Sequence, residues 1–181
     1  MKYLSCLLLT VLAISDAGVL SAQTVSGFSK SNPFYAVSTL PFHVPAFDKI
    51  KNSDFKPAME EGIRQQMAEI EKITNNASPA TFENTLVAME RSGRLLNRVG
   101  AVLNVLTGAY TNPELQKVEQ EMAPKLSANN DAIYLNTKLF KRVEAIYNQR
   151  AKLKLDTESA RLIEYYYKNF LMLYIFPYPL H

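Results

Sequence analysis

The sequence predicts an all-α domain built from antiparallel helical hairpins. Three observations lead there. Apolar residues recur every three or four positions through five separate stretches, the spacing that gathers them on one helix face. Residues that cap or stop helices separate the stretches: Asn75 and Asn76, Thr81, Asn112 with Pro113, and Thr157. No alternating apolar/polar run of strand length interrupts them. A chain of 181 residues, 48% hydrophobic and 20% charged, is long and apolar enough to bury one core.

Residues 1–22 read as a leader rather than as fold. Lys2 gives a positive start, residues 3–14 are a short apolar run, and small residues precede a cut after Ala22. A cut after Ala17 is the weaker alternative. The run is too short to span a bilayer comfortably, so a cleaved signal is favoured over an anchor. Cys6 is the sole cysteine and lies in this leader, so the exported chain is not disulfide-built. The expected location is periplasmic or secreted, with no membrane association after cleavage.

Residues 23–52 form an extended arm, where Pro33, Pro41 and Pro45 block helix and hold their predecessors extended. Its aromatics, Phe34, Tyr35, Phe42 and Phe47, are expected to pin it to the helical body. That body spans residues 53–170. The first helix, over 52–76, takes Ser53 or Asp54 as cap and tolerates Pro57 in its first turn. Its stripe is Phe55, Met59, Ile63, Met67, Ile70 and Ile73. Two methionines offer too little sulfur for a soft-metal site, so they are assigned to the core.

The second helix is predicted over 81–110, capped by Thr81, with Leu86, Met89, Leu96, Val99, Leu103 and Leu106 facing inward. Gly93 and Gly100 each cost about 1 kcal/mol against alanine there, which close helix packing or a bend would explain. No strand precedes them, so a phosphate loop is excluded. The third helix follows Asn112 and Pro113 through Leu115, Val118, Met122, Leu126 and Ile133, with a kink expected at Pro124. The fourth, over 136–150, carries Leu139, Phe140, Val143, Ile146 and Tyr147. The fifth follows Thr157 and buries Leu162, Tyr166 and Phe170. Residues 171–181 are then a divergent apolar tail. From Phe170 to Phe176 it would reach about 10 Å as a helix, against about 30 Å of hydrocarbon. Pro177 and Pro179 stop it, so it is no membrane anchor.

Composition also narrows the chemistry. A net charge of +3 argues against a nucleic-acid partner, and the basic stretch 140–154 is interrupted by acidic and apolar residues. The two histidines, His43 in the arm and His181 at the last position, have no H-E-x-x-H and no G-x-S-x-G around them. His43 is read as a packed or half-exposed aromatic, and His181 has no partner ligand nearby. Glu60, Glu61, Glu69 and Glu71 are read as a solvated face. Glu119 and Glu121 diverge by roughly 100° around each of two helical steps and cannot share a proton as a catalytic pair. Tyr165, Tyr166 and Tyr167 point three ways from one helix. Residue patterns alone therefore give no catalytic, cofactor-binding or metal residue.

Several ordered stretches carry a resemblance: residues 32–73 from "NPFYAVSTLPF", "TFENT" and "ERSG" within 81–93, "TNPELQ" with "AP" and "DAIYLN" within 111–136, and "LDTESARLIEYYYKNF" to Phe170. In that order they resemble the N-terminal region of bacterial peptidyl-dipeptidases, in the thimet-oligopeptidase-like family of zinc metallopeptidases. The resemblance implies a largely helical fold whose two halves enclose a channel for short peptides. It implies a zinc ion held by an H-E-x-x-H helix and a further glutamate in the C-terminal half, where the motif glutamate activates the zinc-bound water. None of those positions has a counterpart here, so no site residue is carried over; zinc belongs to the parent family. The expectation is an N-terminal channel wall truncated before its catalytic half, inactive alone. The alternatives are a secreted helical module binding peptide or a partner helix without cleavage, and a half-enzyme joining a separate catalytic half. A wall lacking its other half would expose apolar surface and associate.

Overall fold

The computed structural model describes residues 27–175; the predicted leader and residues 176–181 lie outside them. The helices are α1 (Asn52–Thr74), α2 (Ala88–Glu90), α3 (Arg94–Tyr110), α4 (Pro113–Tyr134), α5 (Thr137–Gln149) and α6 (Thr157–Ile175). A π-helical turn, Phe82–Val87, runs directly into α2. Single 3-10 turns occupy Pro41–His43 and Arg150–Lys152. The architecture is all-α as the periodicity requires, with no strand among the described residues. Among those residues no helix is long and apolar enough to cross a membrane.

Helix α1 is the spine, and its apolar stripe serves two cores. Toward its N-terminal end, Phe55, Ala58 and Met59 pack with Val99, Val102 and Leu103 of α3 and with Leu115 and Met122 of α4. Toward its C-terminal end, Ile70 and Ile73 pack with Leu86, Val143, Ile146, Ile163 and Phe170. Burying each of the largest side chains stabilises the fold by about 1.5–3 kcal/mol before ordering entropy is charged against it. The crossing of α1 on α3 is close because Gly62 has no side chain: a Cβ there would stand 2.8 Å from Leu96 Cα.

Capping follows elementary rules, with two shifts from expectation. Asn112 Oδ1 accepts from the Leu115 N–H at 3.0 Å, with Pro113 as first helical residue. Thr81 Oγ1 accepts from the Asn84 N–H at 3.1 Å. Helix α6 is capped one residue earlier than Thr157: Asp156 Oδ1 accepts from the Ser159 N–H at 2.8 Å. The carboxylate wins because two bonds from Ser159 stabilise its charge, which holds Asp156 below the usual range. Neither Ser53 nor Asp54 is the cap of α1. Lys51 occupies that position, and Asp54 reaches back to accept from the Lys51 N–H at 2.8 Å.

The single helix expected over 81–110 is broken. Gly93 adopts φ 69°, which ends the segment at Arg91–Gly93 and re-aims α3. Its N–H is taken by Glu69 Oε2 at 2.8 Å. A Cβ at position 93 would lie 2.6 Å from Gln66 Nε2, the movable end of a long side chain, so it is the left-handed conformation that demands glycine. Gly100 is different: a Cβ there meets nothing within 4 Å, so close packing among the described residues does not account for it. Helix α4 is unbroken through Pro124.

The arm is held by fewer residues than expected. Phe34 is buried and packs on Phe55 with ring centroids 5.2 Å apart. Asn32 fixes the approach, donating to the Asp54 carbonyl at 3.0 Å and accepting from the Phe34 N–H at 2.9 Å. Tyr35 and Phe47 are half exposed and Phe42 is 96% exposed, so these three do not pin the arm. The backbone is a series of turns rather than a continuous extended run, with Phe42 at φ 56° and His43 at φ 58°. At the other end α6 continues five residues beyond Phe170, to Ile175.

A candidate functional surface without a catalytic cluster

The chemistry-bearing residues singled out from the sequence are not brought together. His43 is exposed on the arm, its Nδ1 2.8 Å from the Ser38 carbonyl oxygen. His181 lies outside the described residues. Among those residues no three His, Cys, Asp or Glu side chains cluster as a metal site requires. The zinc implied by the resemblance therefore has no fit among them, and no chemical step runs through it.

The acidic face of α1 is not uniformly solvated. Glu61 is buried: its carboxylate accepts from Arg64 Nη2 at 2.6 Å, Arg64 Nε at 2.8 Å and Gln65 Nε2 at 2.8 Å. The Arg64 bonds hold its carboxyl below the usual range against the opposing effect of burial. Glu60 is ion-paired with Lys125 of α4. Glu121 pairs with Lys56 at 2.5 Å, and that bond holds its carboxyl low and the lysine high. Glu119, half-buried on the neighbouring face, has neither hydrogen-bond nor ion-pair partner among the described residues.

The consecutive Tyr165, Tyr166 and Tyr167 of α6 do point three ways. Tyr165 is exposed. Tyr166 is buried and donates to Glu90 Oε1 at 2.6 Å; burial, then the adjacent carboxylate, pushes its phenol well up. Tyr167 stacks on Tyr147 with centroids 3.7 Å apart. They line no common groove.

Two of the concavities among the described residues bear on what the chain could hold. One, of about 380 Å³, lies between the arm and α3 over Arg98. Arg98 Nη2 donates to the Phe34 carbonyl at 2.8 Å, its Nε is buried without a partner, and desolvation lowers its pKa. The other is a groove of about 580 Å³ between α3 and α4. Met59, Leu96, Leu103 and Met122 form its apolar floor, while Gly100, Ala101 and Ala123 keep its walls low. Asn97, Asn104 and Glu119 line it with polar groups.

Sequence reasoning missed Glu61, Arg98 and Arg142. The last donates to the Asn76 and Ser78 carbonyls at 2.9 and 3.2 Å, and to Asn84 Oδ1 and Thr85 Oγ1 at 2.9 and 3.2 Å. Nothing in the local pattern marks these residues, because their partners are far away in the chain.

No family model matches the chain. The dipeptidyl carboxypeptidase of Salmonella typhimurium is 44% identical to it over 142 residues, covering 78% of this chain and 21% of that protein. The chain is thus similar to a dipeptidyl carboxypeptidase over most of its own length. The enzyme of that name from Escherichia coli is 43% identical over 141 residues, again 78% of this chain and 21% of the relative. Oligopeptidase A of Escherichia coli is more distant, 21% identical over 130 residues. The chain spans about one fifth of the length of these two curated relatives.

Proposed function

We propose that this chain supplies a helical wall of a peptidyl-dipeptidase, an exported zinc enzyme that releases C-terminal dipeptides from short peptides, and performs no hydrolysis by itself. The observation that carries this reading is the 44% identity over 142 residues to a dipeptidyl carboxypeptidase. Identity at that level, spread over most of the chain, preserves the helical arrangement and hence its place in the larger protein. Two further features support it. The sequence contains no H-E-x-x-H, so the Lewis acid and the activated water would come from elsewhere in the assembly. The leader with Lys2, an apolar run and Ala22 supports export to the periplasm or beyond.

The test is a transplant. The matched segment of the Salmonella typhimurium enzyme is replaced by the aligned residues of this chain, and release of C-terminal dipeptides from blocked peptides is measured. The chimera is expected to release dipeptides, and the isolated chain with added zinc to release none. Dipeptide release by the isolated chain overturns the reading, as does a folded chimera that releases none. The groove between α3 and α4 favours one second reading, a helical module that binds peptide without cleaving it. Saturable binding of a short peptide by the isolated chain, with no product, would select it.

A further inference from the structure

We infer that the groove between α3 and α4 is a docking site for a basic amphipathic helix from the remaining four fifths of the enzyme, an inference that rests on the wall function proposed above. Four features converge on it. Glycine is disfavoured inside a helix unless something approaches closely. At Gly62 that neighbour is Leu96, inside this chain, but at Gly100 a Cβ would meet nothing within 4 Å. The space beside Gly100 is open among the described residues, as it is beside Gly108, and Gly100 alone of the two lines the groove, where it leaves room for a close approach. Second, the groove is a concavity of about 580 Å³ whose apolar floor, Met59, Leu103 and Met122, is buried and continuous with the core. Val105, 57% exposed and one turn on from Ala101, extends the apolar surface past the groove.

Third, the groove carries a charge that nothing among the described residues answers. Glu119 is half-buried there and has no partner among the described residues, although Glu60 and Glu121, at other edges of the α1–α4 contact, are each paired with lysine. A lysine or arginine on the incoming helix would neutralise it, and the free side chains of Asn97 and Asn104 would meet polar groups beside that cation. Fourth, the matched dipeptidyl carboxypeptidases are about five times as long as the matched stretch, so ample chain exists to fill the groove. Low walls at Gly100, Ala101 and Ala123 suit a helix that comes near the α3 and α4 backbones rather than an extended peptide.

The experiment reads accessibility in the chimera described above, independently of dipeptide release. Ala101→Cys is introduced into the chain from Gln23 onward, which has no other cysteine, and into a cysteine-free chimera. Maleimide labelling is expected to be fast in the isolated chain and at least about tenfold slower in the chimera, because a covered site reacts only on opening. Gly100→Leu or Glu119→Arg is expected to restore fast labelling in the chimera, while Gly100→Leu leaves the thermal midpoint of the isolated chain unchanged or raised. Equal labelling rates in chimera and isolated chain overturn the inference even if dipeptides are released, and slow labelling sustains it even if they are not. Protection of the isolated chain that grows with its own concentration overturns it in favour of a second copy. Protection of the isolated chain by an added free hexapeptide overturns it in favour of a peptide subsite.

Discussion

Gly62 of α1 lies directly on the backbone of Leu96 in α3, so close that a Cβ at position 62 would be 2.8 Å from Leu96 Cα and 2.9 Å from its nitrogen. This contact sets the distance between the two helices that carry the first core. Gly62→Ala is expected to destabilise the chain by about 1–3 kcal/mol, because the obstacle is backbone and cannot rotate away. Gly100→Ala, where no atom stands in the way, is expected to stabilise the isolated chain by up to about 1 kcal/mol. Urea melts of the two variants side by side check the opposite signs; equal shifts would refute the distinction.

Arg142 stitches α5 to the connection before the π-helical turn through bonds to the Asn76, Ser78, Asn84 and Thr85 oxygens. Thr85 is fully buried and its hydroxyl keeps its bond to Asn84 Oδ1 at 2.9 Å, so removing the guanidinium takes away four donated bonds, one of them to a buried oxygen with no access to water. Arg142→Met is expected to cost about 2–4 kcal/mol. Arg142→Lys should recover less than half of that, since an ammonium cannot reproduce the planar fork. Chemical denaturation of both variants measures it.

Glu61 gives the fold an acid-sensitive element. Its carboxyl is held low by Arg64 and then Gln65, with burial opposing them. Stability from such a group is complete above its unfolded value, about 4.3, and is lost as pH falls through the lower folded value. Between about pH 5 and 3 the unfolding free energy should therefore drop, and Glu61→Gln should flatten that part of the profile. An unchanged slope in the variant would show that the acid loss arises elsewhere.

The Tyr166–Glu90 bond acts at the opposite end of the pH scale. The phenol is raised, first by burial and then by the carboxylate, so its contribution is present below its unfolded value of about 10 and lost as pH rises past that. Tyr166→Phe keeps the ring in the second core and removes the hydroxyl. At neutral pH it is expected to lose about 0.5–1.5 kcal/mol. Thermal melts from about pH 8 to 11 should show a shallower alkaline decline in the variant, because it has no phenol to ionise.

The legible part of the fold was the part encoded at helical spacing. Phe55, Met59, Ile70 and Ile73 all face a core, as do Leu86, Val99, Leu115, Val143 and Phe170. Asn112 with Pro113 marks a helix start in the structure as in the sequence. Gly93 shows the limit. A glycine among helix formers reads as a mild penalty, yet here φ 69° and the nearby Gln66 turn it into a break. Phe42 shows the converse, since an aromatic in a proline-rich arm suggests an anchor but stands 96% exposed.

The sequence by itself determined the helical class, the apolar stripe of each helix and the kinship carried by its long ordered stretches. These are legible because periodicity and capping act over a few residues, and identity is read residue by residue. Only the tertiary structure decided which polar groups lose their water and which glycines are needed. Glu61 loses its water although Glu60, Glu69 and Glu71 look the same in sequence, and Gly62 is required by the Leu96 backbone and Gly93 by its positive φ, while Gly100 is not required. The physical reason is distance along the chain: desolvation and steric contact at one residue depend on atoms tens of positions away, such as Leu96 over Gly62, and local pattern carries no record of that approach.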